Sequence, residues 1–233
     1  MRYLAFATDY DGTLAHHGTV DRDTIEALRR LKSSGRKLIL VTGRQMPDLA
    51  RVFPELPLFD LVVGENGALI YQPERRESRR LADPPPSSFV DELRRRGVEP
   101  LAVGQVVVAT EQPNEHVVID VIREGGLELQ VIFNKGSVMV LPSSVNKATG
   151  LRAALEELAL SPHNVVGVGD AENDHAFLSL CECGVAVANA LDSLKQHADH
   201  VTDGRASDGV RELIEALIAN DLRDLARPCG ITQ

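Results

Sequence analysis

The sequence predicts an α/β protein: a parallel sheet with crossover helices, into which a second, smaller α+β unit is inserted. Three observations carry this. Short apolar runs alternate with segments of helical periodicity near the start of the chain and again toward its end. Between them, from about Gln72, the texture changes to proline and arginine in Pro73-Glu74-Arg75-Arg76, Arg79-Arg80 and Pro84-Pro85-Pro86. Acidic residues, a threonine and a lysine recur next to the apolar runs, at the strand ends and helix starts where parallel sheets gather their ligands.

Residues 3–7 form the first apolar run and end in Thr8-Asp9-Tyr10-Asp11-Gly12-Thr13, a strand followed by a loop. Alternate side chains of an extended segment share a face, so Asp9 and Asp11 point one way and Tyr10 the other. Two carboxylates at one small volume resist joint ionisation unless one is protonated or a cation lies between them, and a hard ion such as magnesium suits that position. The plainer alternative is an ordinary Asp-Gly turn. Asp23-Thr24-Ile25-Glu26 resembles a capping box, and Ile25, Leu28 and Leu31 follow at helical spacing up to Gly35. Residues 37–41 are a second strand, running into Thr42-Gly43-Arg44, with Pro47 placed to open a helix. A hydroxyl and a backbone N–H at that point make an anion cradle; the alternative is a tight loop with Arg44 in solvent. A third strand, 61–63, leads to Gly64-Glu65-Asn66-Gly67, where Asn66-Gly67 signals a turn.

The change in texture at Gln72 places a domain boundary there. The insert, 73–141, alternates a helix at 87–96, a strand at 103–109, a helix at 114–123 and two strands, 127–133 and 137–141, around Asn134-Lys135-Gly136. Its arginines read as a solvated face. The parallel unit, 1–72, resumes at 142–226. There a helical segment from about 143 to 158 carries Lys147 in its first turn, against the macrodipole, which points to an anion at that spot. Residues 165–169 are another buried strand and end in Asp170-Ala171-Glu172-Asn173-Asp174. Asp170 as a helix cap with Asp174 in the first turn would account for these acids without a metal. A dinucleotide fingerprint on Gly167 and Gly169 fails, because Glu172 stands at its third position and would repel a pyrophosphate. Strands at 184–188 and 200–201, helices at 191–198 and 208–218, and a frayed tail at 227–233 complete the chain.

Composition narrows the partners. With 25 basic against 34 acidic residues, a net charge of -9, no Trp and nine Phe plus Tyr, the chain lacks the basic footprint and stacking rings of a nucleic-acid binder. No apolar stretch reaches the length of a membrane span or a signal peptide's core, which leads us to expect a cytoplasmic protein. Cys181, Cys183 and Cys229 lack the spacing of a zinc site and are expected to be idle thiols.

Asp9-Tyr10-Asp11-Gly12-Thr13, Thr42-Gly43-Arg44, Lys147 and Gly169-Asp170-Ala171-Glu172-Asn173-Asp174 resemble, in order, the four motifs of the haloacid dehalogenase-like (HAD) phosphohydrolases. The insert looks like the cap of their Cof-type, IIB subgroup. Tyr10 departs from the aliphatic residue or Phe usual there. The resemblance implies a Rossmann-like core with an inserted α+β cap, hinged near Gln72 and Leu141. It also implies a phosphatase that hydrolyses a small phosphorylated metabolite through an aspartyl-phosphate. Asp9 would be the nucleophile and Asp11 the acid and base. Magnesium would be held by the Asp9 side chain, the Asp11 carbonyl and Asp170, with Asp174 as a further ligand or as an anchor. Thr42, Gly43, Arg44, Lys147 and Asn173 would bind the phosphate. Sugar phosphates, phosphoglycolate and nucleotides stay open as substrates. A phosphomutase of the same superfamily and a non-catalytic receiver-like phosphoacceptor are the rival readings.

Overall fold

Strand β1 (Ala5–Thr8) is buried along its whole length because strands flank it on both sides. It pairs in parallel with β2 (Lys37–Val41) on one side and with β10 (Val165–Gly169) on the other. The structure, a computed structural model, describes residues 1–224; the tail expected at 227–233 and the last two residues of the expected core lie outside them. Outward from β2 come β3 (Leu61–Gly64), β4 (Leu69–Gln72) and β5 (Glu77–Arg80), the last two antiparallel; outward from β10 come β11 (Cys183–Ala186) and β12 (His200–Val201). These are the eight strands of the larger sheet, six of them mutually parallel.

The boundary expected after Gln72 falls inside the β4–β5 hairpin. Residues 77–80 pair with β4 through backbone hydrogen bonds despite four exposed side chains, so their polar texture marks an edge strand and not a new domain. The larger sheet is packed by helices α1 (Arg22–Ser33), α2 (Met46–Val52), α5 (Lys147–Glu157), α6 (His175–Leu180), α7 (Asp192–His197) and α8 (Ser207–Asn220). The cap of α1 lies two residues before the expected one: Asp21, not Asp23, accepts from the Thr24 N–H at 2.8 Å.

The insert forms a four-stranded antiparallel sheet in the order β6 (Ala102–Val103), β7 (Val108–Glu111), β9 (Ser137–Pro142), β8 (Leu129–Asn134). Two helices, α3 (Ser87–Arg95) and α4 (Glu115–Glu124), cover one face by packing Phe89, Leu93 and Val118 on Val108, Val138 and Val140. Alternate residues of β9, Met139 and Leu141, pack instead with Val106, Val107, Ala68 and Val145, where the smaller sheet meets the larger. The single strand expected at 103–109 is a hairpin. Its turn is fixed from outside by Glu65, whose carboxylate accepts the N–H groups of Gln105, Val106 and Val107 at 2.7–2.9 Å.

Among the described residues no helix is long and apolar enough to cross a membrane. Cys181 is a free buried thiol, its pKa raised by burial. Cys183 is buried too, but it has a partner and is not the idle thiol expected of it.

Candidate active site

Because β1 and β10 are parallel neighbours in register, with Thr8 opposite Val168, the residues that follow them emerge side by side. Asp9 and Asp170 therefore meet at one edge. Asp174 joins them by folding back: its Oδ2 accepts from the Asp170 and Ala171 N–H groups at 2.9 Å each. The expected alternative, Asp170 as a cap, is thereby inverted, since Asp174 does the capping. Carboxylate oxygens of Asp9, Asp170 and Asp174 all lie within 4.8 Å of one another, and all three residues are buried.

Lys147 is the first residue of α5, after the Asn146 cap and its reciprocal bond with Thr149. Its Nζ sits 2.6 Å from Asp9 Oδ1 and 2.6 Å from Asp174 Oδ1, with the whole residue only 2% exposed. The anion implied by a cation in a first helical turn is thus part of the protein. Burial disfavours the ammonium, but the carboxylates of Asp174 and Asp9 outweigh it and raise the Lys147 pKa. Burial raises the Asp9 pKa, against the opposing pull of Lys147; Asp174 and Asp170 push it further in the same direction. Asp170 is raised as well, by burial first.

Two ammonium groups serve three carboxylates, and the second is Lys135, in the β8–β9 turn. Its Nζ contacts the Asp11 carbonyl at 2.6 Å and Asp170 Oδ2 at 2.9 Å. A cation already stands between the backbone and side-chain oxygens expected to hold a metal, so this oxygen-only donor set fits a hard divalent ion. Gly12 keeps the place open: at φ +89, a β-carbon there would lie 2.5 Å from both Lys135 Nζ and Asp170 Oδ2. Thr13 donates to Asp170 Oδ1 at 3.0 Å and fixes the other oxygen.

Asp11 takes a different course from Asp9. Both line a cavity of about 420 Å³ with Gly43, Arg44 and Met139, but the Asp11 carboxylate faces Arg44, whose Nε and Nη2 reach its two oxygens at 2.7 Å each. Arg44 also pairs with Asp48 and lies over the Tyr10 ring. Tyr10 is fully buried and does not line the cavity, as its place between Asp9 and Asp11, one residue from each, leads one to expect. Thr42 is buried and its Oγ1 accepts from the Arg44 N–H at 3.1 Å. A β-carbon on Gly43 would touch Met139 Sδ at 3.4 Å, so the smaller sheet closes over this loop.

Asn173 and Lys147 line a second cavity, of about 520 Å³, bounded by Asn66, Asn134 and Phe133. Asn173 spends its amide N–H on Asn66 Oδ1 at 3.0 Å, while Asn66 Nδ2 is buried without a partner. Sequence reasoning missed Glu65, Asn66 and Lys135. The sequence carries a partial signal for Asn66 alone, an Asn followed by glycine and suited to positive φ; that Glu65 shares this conformation is visible only in the structure. Nothing local distinguishes Lys135 from a loop-tip lysine.

A sequence family of haloacid dehalogenase-like hydrolases matches residues 6–99 and 130–214. The phosphoglycolate phosphatase of Haloarcula marismortui is 31% identical over 218 residues, covering 88% of this chain and 93% of its own. Phosphoglycolate phosphatase 1 of Saccharolobus solfataricus is 27% identical over 233 residues, covering 91% and 95%. Among solved structures, a Thermoplasma acidophilum protein superposes with a TM-score of 0.81 at 18% identity, covering 94% of this chain and 99% of that one. A haloacid dehalogenase-like hydrolase of Bacteroides thetaiotaomicron gives 0.79 at 21%, covering 92% and 99%.

Proposed function

We infer the reaction from the family and the site together: this chain belongs to the haloacid dehalogenase-like hydrolases, and within them it is a phosphatase. We propose that Asp9 attacks the phosphorus of a small phosphomonoester, the P–O bond to the leaving group breaks, and the phosphoryl group passes to the Asp9 carboxylate. Asp11 gives its proton to the departing oxygen and then takes one from the water that hydrolyses the aspartyl-phosphate, releasing inorganic phosphate. Arg44 holds both Asp11 oxygens in the cavity, so as substrate enters Asp11 leaves this guanidinium, takes up from solvent the proton it will donate, and turns to the leaving oxygen. Arg44 is thereby a positioning residue for Asp11 in place of the phosphate ligand first expected.

Lys147 steers the Asp9 carboxylate and offers its remaining N–H to the phosphoryl oxygens, beside Thr42, the Gly43 N–H and the Asn66–Asn173 pair. A divalent ion, magnesium in this reading, would be held by Asp9, Asp170, Asp174 and the Asp11 carbonyl. It would supply the positive charge that offsets repulsion between the nucleophile and its anionic substrate. The cap, entered after β5 and left at β9, would exclude water and read the leaving group.

Phosphoglycolate is the first substrate to try. The relatives named above act on it by their names, and a cavity of about 420 Å³ with Arg44 and Lys135 in its wall suits a small substrate with a second negative charge. One observation carries the reading: a fully buried ammonium bridging Asp9 and Asp174 at 2.6 Å beside Asp170. We expect the purified protein to release phosphate from phosphoglycolate in magnesium, and faster than from sugar phosphates or nucleotides. Absence of release from every ester tried would overturn the assignment, and a preference for another ester would overturn only the substrate.

A further inference from the structure

We propose that Lys135 is a built-in substitute for the metal ion: in the metal-free protein its ammonium takes the cation's place at the acidic edge, and metal binding must displace it. The inference rests on the metal site read above and adds a competition that the site alone does not require.

The geometry makes the two occupants mutually exclusive. Lys135 Nζ touches the Asp11 carbonyl and Asp170 Oδ2 at 2.6 and 2.9 Å, and the atoms of a bound ion's shell would need those same lone pairs. The lysine comes from the cap, 124 residues along the chain from Asp11, so its docking also ties the cap to the core. Its backbone holds φ +48 and is followed by Gly136 at φ +87, a turn that projects the side chain from the tip of the β8–β9 hairpin. Gly12, with no β-carbon, leaves the passage open.

Charge decides the direction of exchange. Fully ionised, the three clustered carboxylates outnumber the two ammonium groups by one charge, whereas a divalent ion in place of Lys135 matches them. The ion therefore wins when supplied, and the ammonium serves when it is absent. Lys135 is suited to leaving, since its side chain is 51% exposed where that of Lys147 is 1%. A half-exposed ion pair is weak enough to exchange.

The test measures metal and lysine separately, on the full chain. Manganese binding to wild type and to Lys135→Met, followed by calorimetry or by the ion's paramagnetic signal, should show the variant binding about fivefold tighter. In wild type, acetylation of Lys135 by acetic anhydride, read by peptide mass spectrometry, should speed up when magnesium is added, while labelling of exposed Lys37 stays constant. Equal manganese affinity in the two proteins, or magnesium-independent labelling of Lys135, would overturn the competition and leave the metal site standing. Failure of both proteins to bind manganese would overturn the metal site itself, and the competition with it.

Discussion

Lys147 and Lys135 both place an ammonium on the acidic edge, one from the first turn of α5 and one from the cap's β8–β9 turn, and they differ in nearly every other respect. Lys147 is sealed in, bonded to two carboxylates, and carried by a helix packed on the sheet. Lys135 is half in solvent and bonded to one carboxylate and one carbonyl. A buried charge whose partners would be stranded without it belongs to the permanent architecture; an exposed one costs little to move. The core therefore supplies a fixed cation, and the cap supplies one that, in the competition proposed above, is exchanged as the site fills.

The sharpest way to break this contrast is to remove each ammonium in turn and measure urea unfolding without metal. Lys147→Met should cost about 3–5 kcal/mol, because Asp174 is left as an uncompensated buried charge and Asp9 loses its hydrogen-bond donor. Lys135→Met should cost no more than about 1 kcal/mol. Similar losses in the two variants would erase the distinction between a fixed and an exchangeable cation.

A pH-dependent effect follows from Asp9. Burial pushes its pKa from the ordinary 3.8 up to about 8, so the folded chain binds this proton more tightly than the unfolded one. The stability linked to that proton is complete at low pH and is lost as pH rises through this window. In EDTA, wild type should therefore weaken relative to Asp9→Asn between about pH 5 and about pH 8, and magnesium should remove most of the difference. A gap that does not change with pH would contradict the burial argument.

Much of this molecule is legible in its sequence, for reasons that can be located. The bounds of β2 and the start of α2, with Pro47 in its first turn, follow from local pattern, because apolar runs and a proline at a helix start act over a few residues. Asp9, Asp170 and Lys147 converge because a parallel sheet aligns its strand ends, so topology alone brings distant positions together. What escaped is non-local or depends on an edge. The hairpin at 102–111 exists because Glu65, some forty residues earlier, binds its turn. Strand β5 was assigned to the insert because edge strands carry polar side chains, which read as a change of domain. Asp11 was expected to share a cation with Asp9 through its side chain, and that expectation could not include Arg44, 33 residues away, which claims both of its oxygens.

The claim on which the rest depends is that Asp9 takes the phosphoryl group. Quenching the turning-over enzyme in acid and reducing it with borohydride converts an aspartyl-phosphate to homoserine, which peptide mass spectrometry can locate. Homoserine at position 9, found in wild type with substrate and absent from substrate-free controls, is the predicted result. Turnover with the modification at another residue, or with none anywhere, would contradict it.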